Sequence, residues 1–312
     1  MAKERRKSGV LQRMGPLLGL ILLVVILSII SSDFLSVSNI LNVLRQVSIN
    51  ALIAFGMTFV ILTGGIDLSV GSIVALSSAL AAGMMAAGSD PSIAILAGLL
   101  SGAAMGTVNG VIISRGKVAP FIATLATMTI FRGITLVYTQ GKPIAGLPDS
   151  FGMFGRGYLF EIPMPVIWML ISFVVLYIIL KFTTFGRHVF ALGGNEEATR
   201  LSGINTPRVK TFVYTISGLF AAISGIILTS RLNSAQPTAG MSYELDAIAA
   251  VVIGGTSLSG GKGWIVGTLI GAMIIGILDN GLNLMNVSSF YQQAVKGAVI
   301  LLAVLLDRSK NK

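Results

Sequence analysis

The sequence contains no cysteine and a single histidine, His188, among 312 residues. The first absence excludes disulfide scaffolds and thiolate metal sites, and the second leaves little for imidazole catalysis or a histidine metal cluster. Charge is scarce too: 11% of the residues are Asp, Glu, Lys or Arg, against about 25% in a soluble domain. Acids are the rarer sign, 12 against 22 bases. Glu244 and Asp246 stand two apart, off a shared helical face, and make a poor catalytic carboxylate pair. No catalytic residue, metal site or cofactor is expected.

What is present is apolar. Hydrophobic residues make up 54% of the chain and glycine contributes 37. Apolar runs lie at roughly 14–31, 40–63, 68–87, 92–114, 118–138, 163–182, 211–230, 241–257, 264–283 and 289–306. Runs of this length and closeness describe an all-α polytopic membrane protein of about ten transmembrane helices, not a globular enzyme with one core. The basic start followed by "LLGLILLVVILSII" resembles a signal peptide. No A-x-A-like cleavage site follows and further spans come at once, so an uncleaved first helix is expected.

The net charge of +10 raises nucleic acid as a partner, and its placement argues against it. Ten spans put both termini on one side. Sixteen of the 22 basic residues then share that face: Lys3 to Arg13 at the start, Arg115 and Lys117, five between Lys181 and Lys210, Lys262, and Arg308 to Lys312. This is the positive-inside pattern, which sets both termini in the cytoplasm.

The chain also repeats. Gly64-Gly65-x-x-Leu68-Ser69-x-Gly71 recurs 190 residues later as Gly254-Gly255-x-x-Leu258-Ser259-x-Gly261. Downstream, "GAAMGTVNG" from Gly102 and "GAMIIGILDNG" from Gly271 both end on Asn-Gly, at Asn109 and Asn280. A single domain over 1–312 with two related halves, roughly 40–138 and 211–306, is expected, as in transporters with substrate paths at the repeat interface. The relative orientation of the halves, and whether one span is a re-entrant half-helix, stay open. Gly98, Gly102, Gly106 and Gly110, and Gly263, Gly267 and Gly271, recur every four residues and read as close-packing seams.

"GGTSLSGGKGW" invites a phosphate-loop reading and fails it, with Thr256 where the first glycine belongs and Gly263 where Ser or Thr belongs. "GKGWIVG" has no βαβ context for a dinucleotide fingerprint. Asp67, the acid of the first glycine motif, has two readings. It lines a wetted cavity at a broken helix, or it caps the third span, where free N–H groups favour an anion. Spacing favours the cap, and Ser257 can cap in the second copy, so both motifs read as helix breaks that shape a pathway. Arg132, inside an apolar run, lines that conduit, pairs with a carboxylate or snorkels outward. Arg231, Asn233, Gln236, Tyr243, Glu244 and Asp246 gather at the outer entry of a span. They suit hydrogen bonding to a hydroxylated solute, docking of a partner, or plain loop solvation. In the cytoplasmic loop 183–210, Asn195 can cap a short helix with Glu196 and Glu197 in its first turn, Arg200 following and Gly203 ending it. A docking element and a solvated connector are equally open on these residues alone.

Longer stretches carry a resemblance. "NALIAFGMTFVILTGGIDLSVGS" (50–72), "APFIATLATMTIFRGITLVYT" (119–139), "ALGGNEEATRLSGI" (191–204), "SRLNSAQPTAGMSYELDAIAAVVIGGTSLSGGKG" (230–263) and "DNGLNLMNVSSFYQQ" from Asp279 resemble the membrane permease of ribose-type ABC importers over essentially the whole length. The resemblance implies a type II-like importer permease in the plasma membrane of a bacterium. It implies a second copy in a homodimeric pore, a cytoplasmic ATPase with tandem nucleotide-binding cassettes, and an extracytoplasmic sugar-binding protein. It places the ATPase-coupling helix at Asn195, Glu196, Glu197, Arg200 and Gly203. The competing expectation is a proton-coupled secondary transporter with Asp67 or Asp246 as carrier.

Overall fold

The protein, here a computed structural model, is described over residues 2–310, with side chains described for 14–299, 301, 302 and 305. The eight basic residues counted at the two chain ends, from Lys3 to Arg13 and from Arg308 to Lys312, lie outside the described side chains.

Each apolar run contains a helix, and local chemistry sets most of the boundaries. α1 (Ala2–Ile30) precedes α2 (Val37–Leu62), whose cap Ser36 accepts the Asn39 N–H. α3 (Val70–Ala86) meets α4 (Pro91–Ser114) at Asp90, which accepts the Ser92 N–H at 2.8 Å with Pro91 at the first helical position. α5 (Pro120–Thr139) also starts on proline. The next connection is structured: β1 (Ile144–Ala145), α6 (Asp149–Arg156), β2 (Tyr158–Leu159) and β3 (Ile162–Pro163) lead to α7 (Met164–Phe182). Then follow α8 (Thr184–Gly194), α9 (Glu196–Leu201), α10 (Thr206–Leu232), β4 (Ser234–Ala235), α11 (Tyr243–Ile253), α12 (Ile265–Leu284) and α13 (Ser289–Lys310). β1 pairs with β4 antiparallel, Ile144 opposite Ala235, and β2 pairs with β3.

Among the described residues six helices, α2, α4, α5, α7, α10 and α12, are long and apolar enough to cross a membrane. The chain is thus a mostly helical polytopic membrane protein. The eighth apolar run is helical over only eleven residues. At 1.5 Å per residue α11 is about 16 Å long, half of the roughly 30 Å of hydrocarbon.

α2 forms the centre, buried on all sides from Val47 to Leu62, as a helix apolar all round must be. α10 and α12 pack on it. Peripheral α4, α5 and α7 turn Leu96, Leu100, Ile122, Ile130, Leu170 and Val174 outward. Glycines allow the close crossings. A Cβ at Gly102 would stand 2.4 Å from Ala222 Cβ, and one at Gly106 2.2 Å from the Tyr214 carbonyl. With Gly98 against Ile226 and Gly110 against Thr211, the seam makes α4 and α10 antiparallel. On the other side, Gly267 faces the Gly254 carbonyl and Gly271 that of Ala250. Gly263 does not extend that ladder; it abuts Thr256 within its own turn.

The bundle has two distinct ends, joined by the 19-residue α7. α8 and α9 occupy one, together with Arg115, Lys181, Arg187, Arg208, Lys210 and Lys262 at helix ends and turns. α6 and the two strand pairs occupy the other. There Gly155 N–H donates to Ser230 Oγ, and Ser230 Oγ donates to the Phe151 carbonyl.

Candidate functional site

Both Gly-Gly pairs end a helix by the same backbone device. At the end of α2, Gly65 N–H donates to the Val60 carbonyl and Gly64 adopts φ +75°. At the end of α11, Thr256 N–H donates to the Val251 carbonyl and Gly255 adopts φ +89°. These are Schellman caps, whose left-handed residue favours glycine. The cap falls on the first glycine of one pair and the second of the other. The remaining glycines serve close approach: Gly65 leaves room for the Tyr214 hydroxyl and Gly254 for Gly267. The first turn touches the Gly260-Gly261 bend that follows the second. Gly261 N–H donates to the Leu62 carbonyl at 2.9 Å.

The equivalence continues two residues on. Ser69 N–H donates to Asp67 Oδ1 at 3.1 Å, and Ser259 N–H donates to Ser257 Oγ at 3.3 Å. Neither bond caps a helix. Asp67 lies two residues before Ser69, the α3 cap, and Ser257 a further turn from Trp264, the α12 cap, and neither cap residue makes a side-chain cap bond. Asp67 and Ser257 therefore brace their loops rather than capping α3 and α12, a correction to the expected caps.

Asp67 is fully buried, and neutral donors surround it. Ser69 Oγ donates to Oδ1 at 2.6 Å and Ser217 Oγ of α10 to Oδ2 at 2.8 Å. Asn109 Nδ2 of α4 in turn donates to Ser69 Oγ at 2.7 Å. The two Asn-Gly stretches do not occupy matching places. Asn109 completes the Asp67 network, whereas Asn280 exchanges two amide hydrogen bonds with Asn39, at 3.0 and 2.7 Å, stapling α12 to the start of α2.

Arg132 of α5 straps the approach to α11. Its Nη1 donates to the carbonyls of Pro237 and Ala239 at 2.7 and 2.9 Å, and its Nη2 to that of Gly71 at 3.2 Å. Gly71 and Gly240 touch through backbone there, and the Glu244 carboxylate lies against Gly71. Gln236 belongs to the same loop, donating to Ser234 Oγ. Arg132, Gln236, Glu244 and the start of α3 thus form one cluster around the 236–244 segment.

Tyr243 and Asp246 face elsewhere. They line a cavity of about 280 Å³ together with Gln46 and Asn50 of α2, Arg231 of α10, Asp279 of α12 and Lys296 of α13. Lys296 Nζ lies 3.0 Å from Asp246 Oδ2 and 2.9 Å from Asp279 Oδ2, so one ammonium bridges two acids from neighbouring helices. Asp279 Oδ1 is buried with no hydrogen-bond partner among the described residues. Lys296, Asp279, Gln46 and Asn50 escaped the sequence reading as site residues. A signal existed: Lys296 and Asp279 are ionisable groups inside apolar runs, which mark function in a membrane chain.

At the other end, the helix expected after Asn195 is α9. Asn195 Oδ1 accepts the Ala198 N–H at 2.9 Å, and Gly203, at φ +83°, follows its end. Glu196 pairs with Lys210 at 2.7 Å and Glu197 with Arg200 at 2.6 Å. The hydrogen bond from Arg200 holds the Glu197 carboxyl below its usual range. Leu201 projects into the open, 77% exposed. α9 is anchored inward through α8, whose Gly193 abuts the end of α2 and the Gly260-Gly261 bend: a Cβ there would stand 1.8 Å from the Leu62 carbonyl and 2.5 Å from Gly261 N.

Comparison with known proteins adds an independent line. The family model described as the permease component of the branched-chain amino acid transport system matches residues 39–304. The ribose import permease protein RbsC of Bacillus subtilis is 65% identical over 97% of this chain and 95% of its own length. Its counterpart in Escherichia coli is 54% identical over 95% of this chain and 93% of its own. The D-allose transport system permease protein AlsC of Escherichia coli is 43% identical over 89% and 86%. No solved structure matches the chain.

Proposed function

We propose, from the premise that this chain belongs to the family of branched-chain amino acid transport system permease components, that it is the membrane permease subunit of an ABC importer for ribose or a closely related monosaccharide. The observation that carries the reading is graded similarity along nearly the whole chain, higher to ribose than to allose permeases. The sequence has no phosphate loop, so ATP hydrolysis belongs to a separate chain. The subunit transports; it is not an enzyme.

In this reading α1, α3, α11 and α13 complete about ten membrane segments in two related halves, and the whole chain is one permease domain. The paired Schellman turns, with matching i to i+2 turns at Asp67 and Ser257, support the relation between halves. The basic end carrying α8 and α9 faces the cytoplasm of a bacterium, with both termini there, by the positive-inside rule. α9 then docks the ATPase, offering Glu196, Glu197, Arg200 and exposed Leu201. Movement of α9 passes through Gly193 to Leu62 at the end of α2 and to the Gly260-Gly261 bend that follows α11. Contact of this kind gives ATP-driven closure a physical route to a two-state pore. The opposite end, with α6, the strand pairs and the Arg132 cluster, receives the sugar-binding protein, and a second copy completes the pore. The proton-carrier alternative draws no support from the family, and Asp246 is already ion-paired with Lys296.

Reconstitution in proteoliposomes with an ABC ATPase and a sugar-binding protein tests the reading by ATP-dependent uptake of labelled ribose. Uptake requiring all three components is the expected outcome. Uptake driven by a pH gradient without the ATPase would overturn it. The coupling assignment has its own test: Glu197→Lys combined with Arg200→Glu should abolish sugar-stimulated ATP hydrolysis. The melting temperature should not change, because the pair is fully exposed. Retained stimulation would remove α9 from the docking role.

A further inference from the structure

The cavity bridged by Lys296 has a composition that an access route alone does not need. We propose that it is a binding site for one neutral monosaccharide within the permease, with the Asp246–Lys296–Asp279 cluster and the amides of Gln46 and Asn50 as its hydrogen-bonding groups. The proposal rests on the sugar-importer reading and goes beyond it, since a permease supplied by a binding protein needs no site of its own.

Size is the first argument. The cavity's volume of about 280 Å³ equals roughly nine waters at about 30 Å³ each. That is room for a single sugar ring with waters beside it. Charge is the second. The wall carries Asp246 and Asp279 against Arg231 and Lys296, which sum to zero. A sugar without charge leaves that balance intact, whereas a sugar phosphate or sugar acid would not.

Hydrogen-bonding capacity is the third. Lys296 holds one oxygen of each acid, Asp246 Oδ2 and Asp279 Oδ2. The ammonium thus fixes both carboxylates without consuming all their lone pairs. The ammonium and both carboxylates stand in the cavity wall. The amides of Gln46 and Asn50 can each donate and accept, which suits vicinal hydroxyls. Tyr243, Ile49 and Leu228 offer apolar surface to the C–H face of a sugar ring.

The test uses the permease with its ATPase partner in lipid nanodiscs, without binding protein, and equilibrium binding of radiolabelled ribose. Saturable binding of one sugar per permease chain is expected, displaced by unlabelled allose and not by ribose 5-phosphate. Asp279→Asn should weaken it at least tenfold. Gln46→Leu touches no ion pair and should weaken it severalfold, so the prediction survives if Asp279→Asn does not fold. Asp33→Asn, in the exposed turn before α2, serves as control and should bind as wild type does. Absence of saturable binding by the wild type overturns the proposal, as does undiminished binding by a folded Asp279→Asn or Gln46→Leu variant. ATP-dependent uptake by the complete wild-type importer reads the functional assignment separately. Uptake without permease binding defeats the subsite alone; absence of uptake of any sugar defeats the importer reading.

Discussion

Asp67 and Asp279 are carboxylates buried almost equally in one apolar bundle, 0% and 4% exposed, and they are satisfied in opposite ways. Asp67 takes its donors from neutral groups, two of them on Ser69 within its own turn and one on Ser217. Asp279 takes an ammonium from another helix, shares it with Asp246, and stands in the wall of a cavity. The comparison separates two uses of a buried acid. A carboxylate saturated by its surroundings fixes a helix break and leaves nothing for a passing solute. One held by a shared cation, with capacity to spare, is built for something that arrives and departs.

The largest expected break in this comparison is Lys296→Met, which takes from Asp246 and Asp279 the cation they share. Removing one partner of a buried pair costs about 3–5 kcal/mol, read as a lower melting temperature in detergent. Adding Asp246→Leu and Asp279→Leu to that variant should restore most of the loss, because apolar replacement of a whole buried charge cluster is nearly neutral. Sugar binding should not return with it. A restored fold that still binds ribose would contradict the assignment of the charges to ligand.

Asp67→Ala comes next. It strips the acceptor from two hydroxyls and one N–H in a dry site, at about 2–3 kcal/mol. Asp67→Asn sharpens the contrast. It keeps an acceptor for Ser69, and the Ser217 hydroxyl can turn to accept from the new amide, so the cost falls to about 1 kcal/mol. ATP-dependent ribose uptake should persist in Asp67→Asn and fall in Asp279→Asn. Loss of uptake in Asp67→Asn at normal membrane abundance would return the acid to a functional role. The smallest effect is expected for Ser217→Ala, which withdraws one donor of three, at about 1 kcal/mol by thermal melting.

These two sites were not equally readable in the linear chain. The turn from Asp67 to Ser69 spans two residues and follows from local chemistry, as do the caps at Asp90, Asn195 and Asn205. Ser217 lies 150 residues from Asp67, and nothing near either one specifies the other. The glycine ladder on α4 was legible as a seam, but only the fold paired it with α10. Likeness between the two Asn-Gly stretches misled, because Asn109 and Asn280 meet unrelated partners. The run at 241–257 looked long enough to span because hydropathy ignores the Schellman cap that stops α11 at Ile253.

Composition and pattern alone determined that this chain is helical, many-segmented and without thiol chemistry, since each of these depends on residues close together or on sums over the chain. Tertiary structure alone decided which buried polar groups meet. It set the end of α2 and the Gly260-Gly261 bend against Gly193 and brought Gln46, Arg231, Tyr243, Asp246, Asp279 and Lys296 from five helices around one cavity. A polar side chain in an apolar interior must find a partner, but its partner is chosen by the packing of whole helices, and no window of sequence contains that choice.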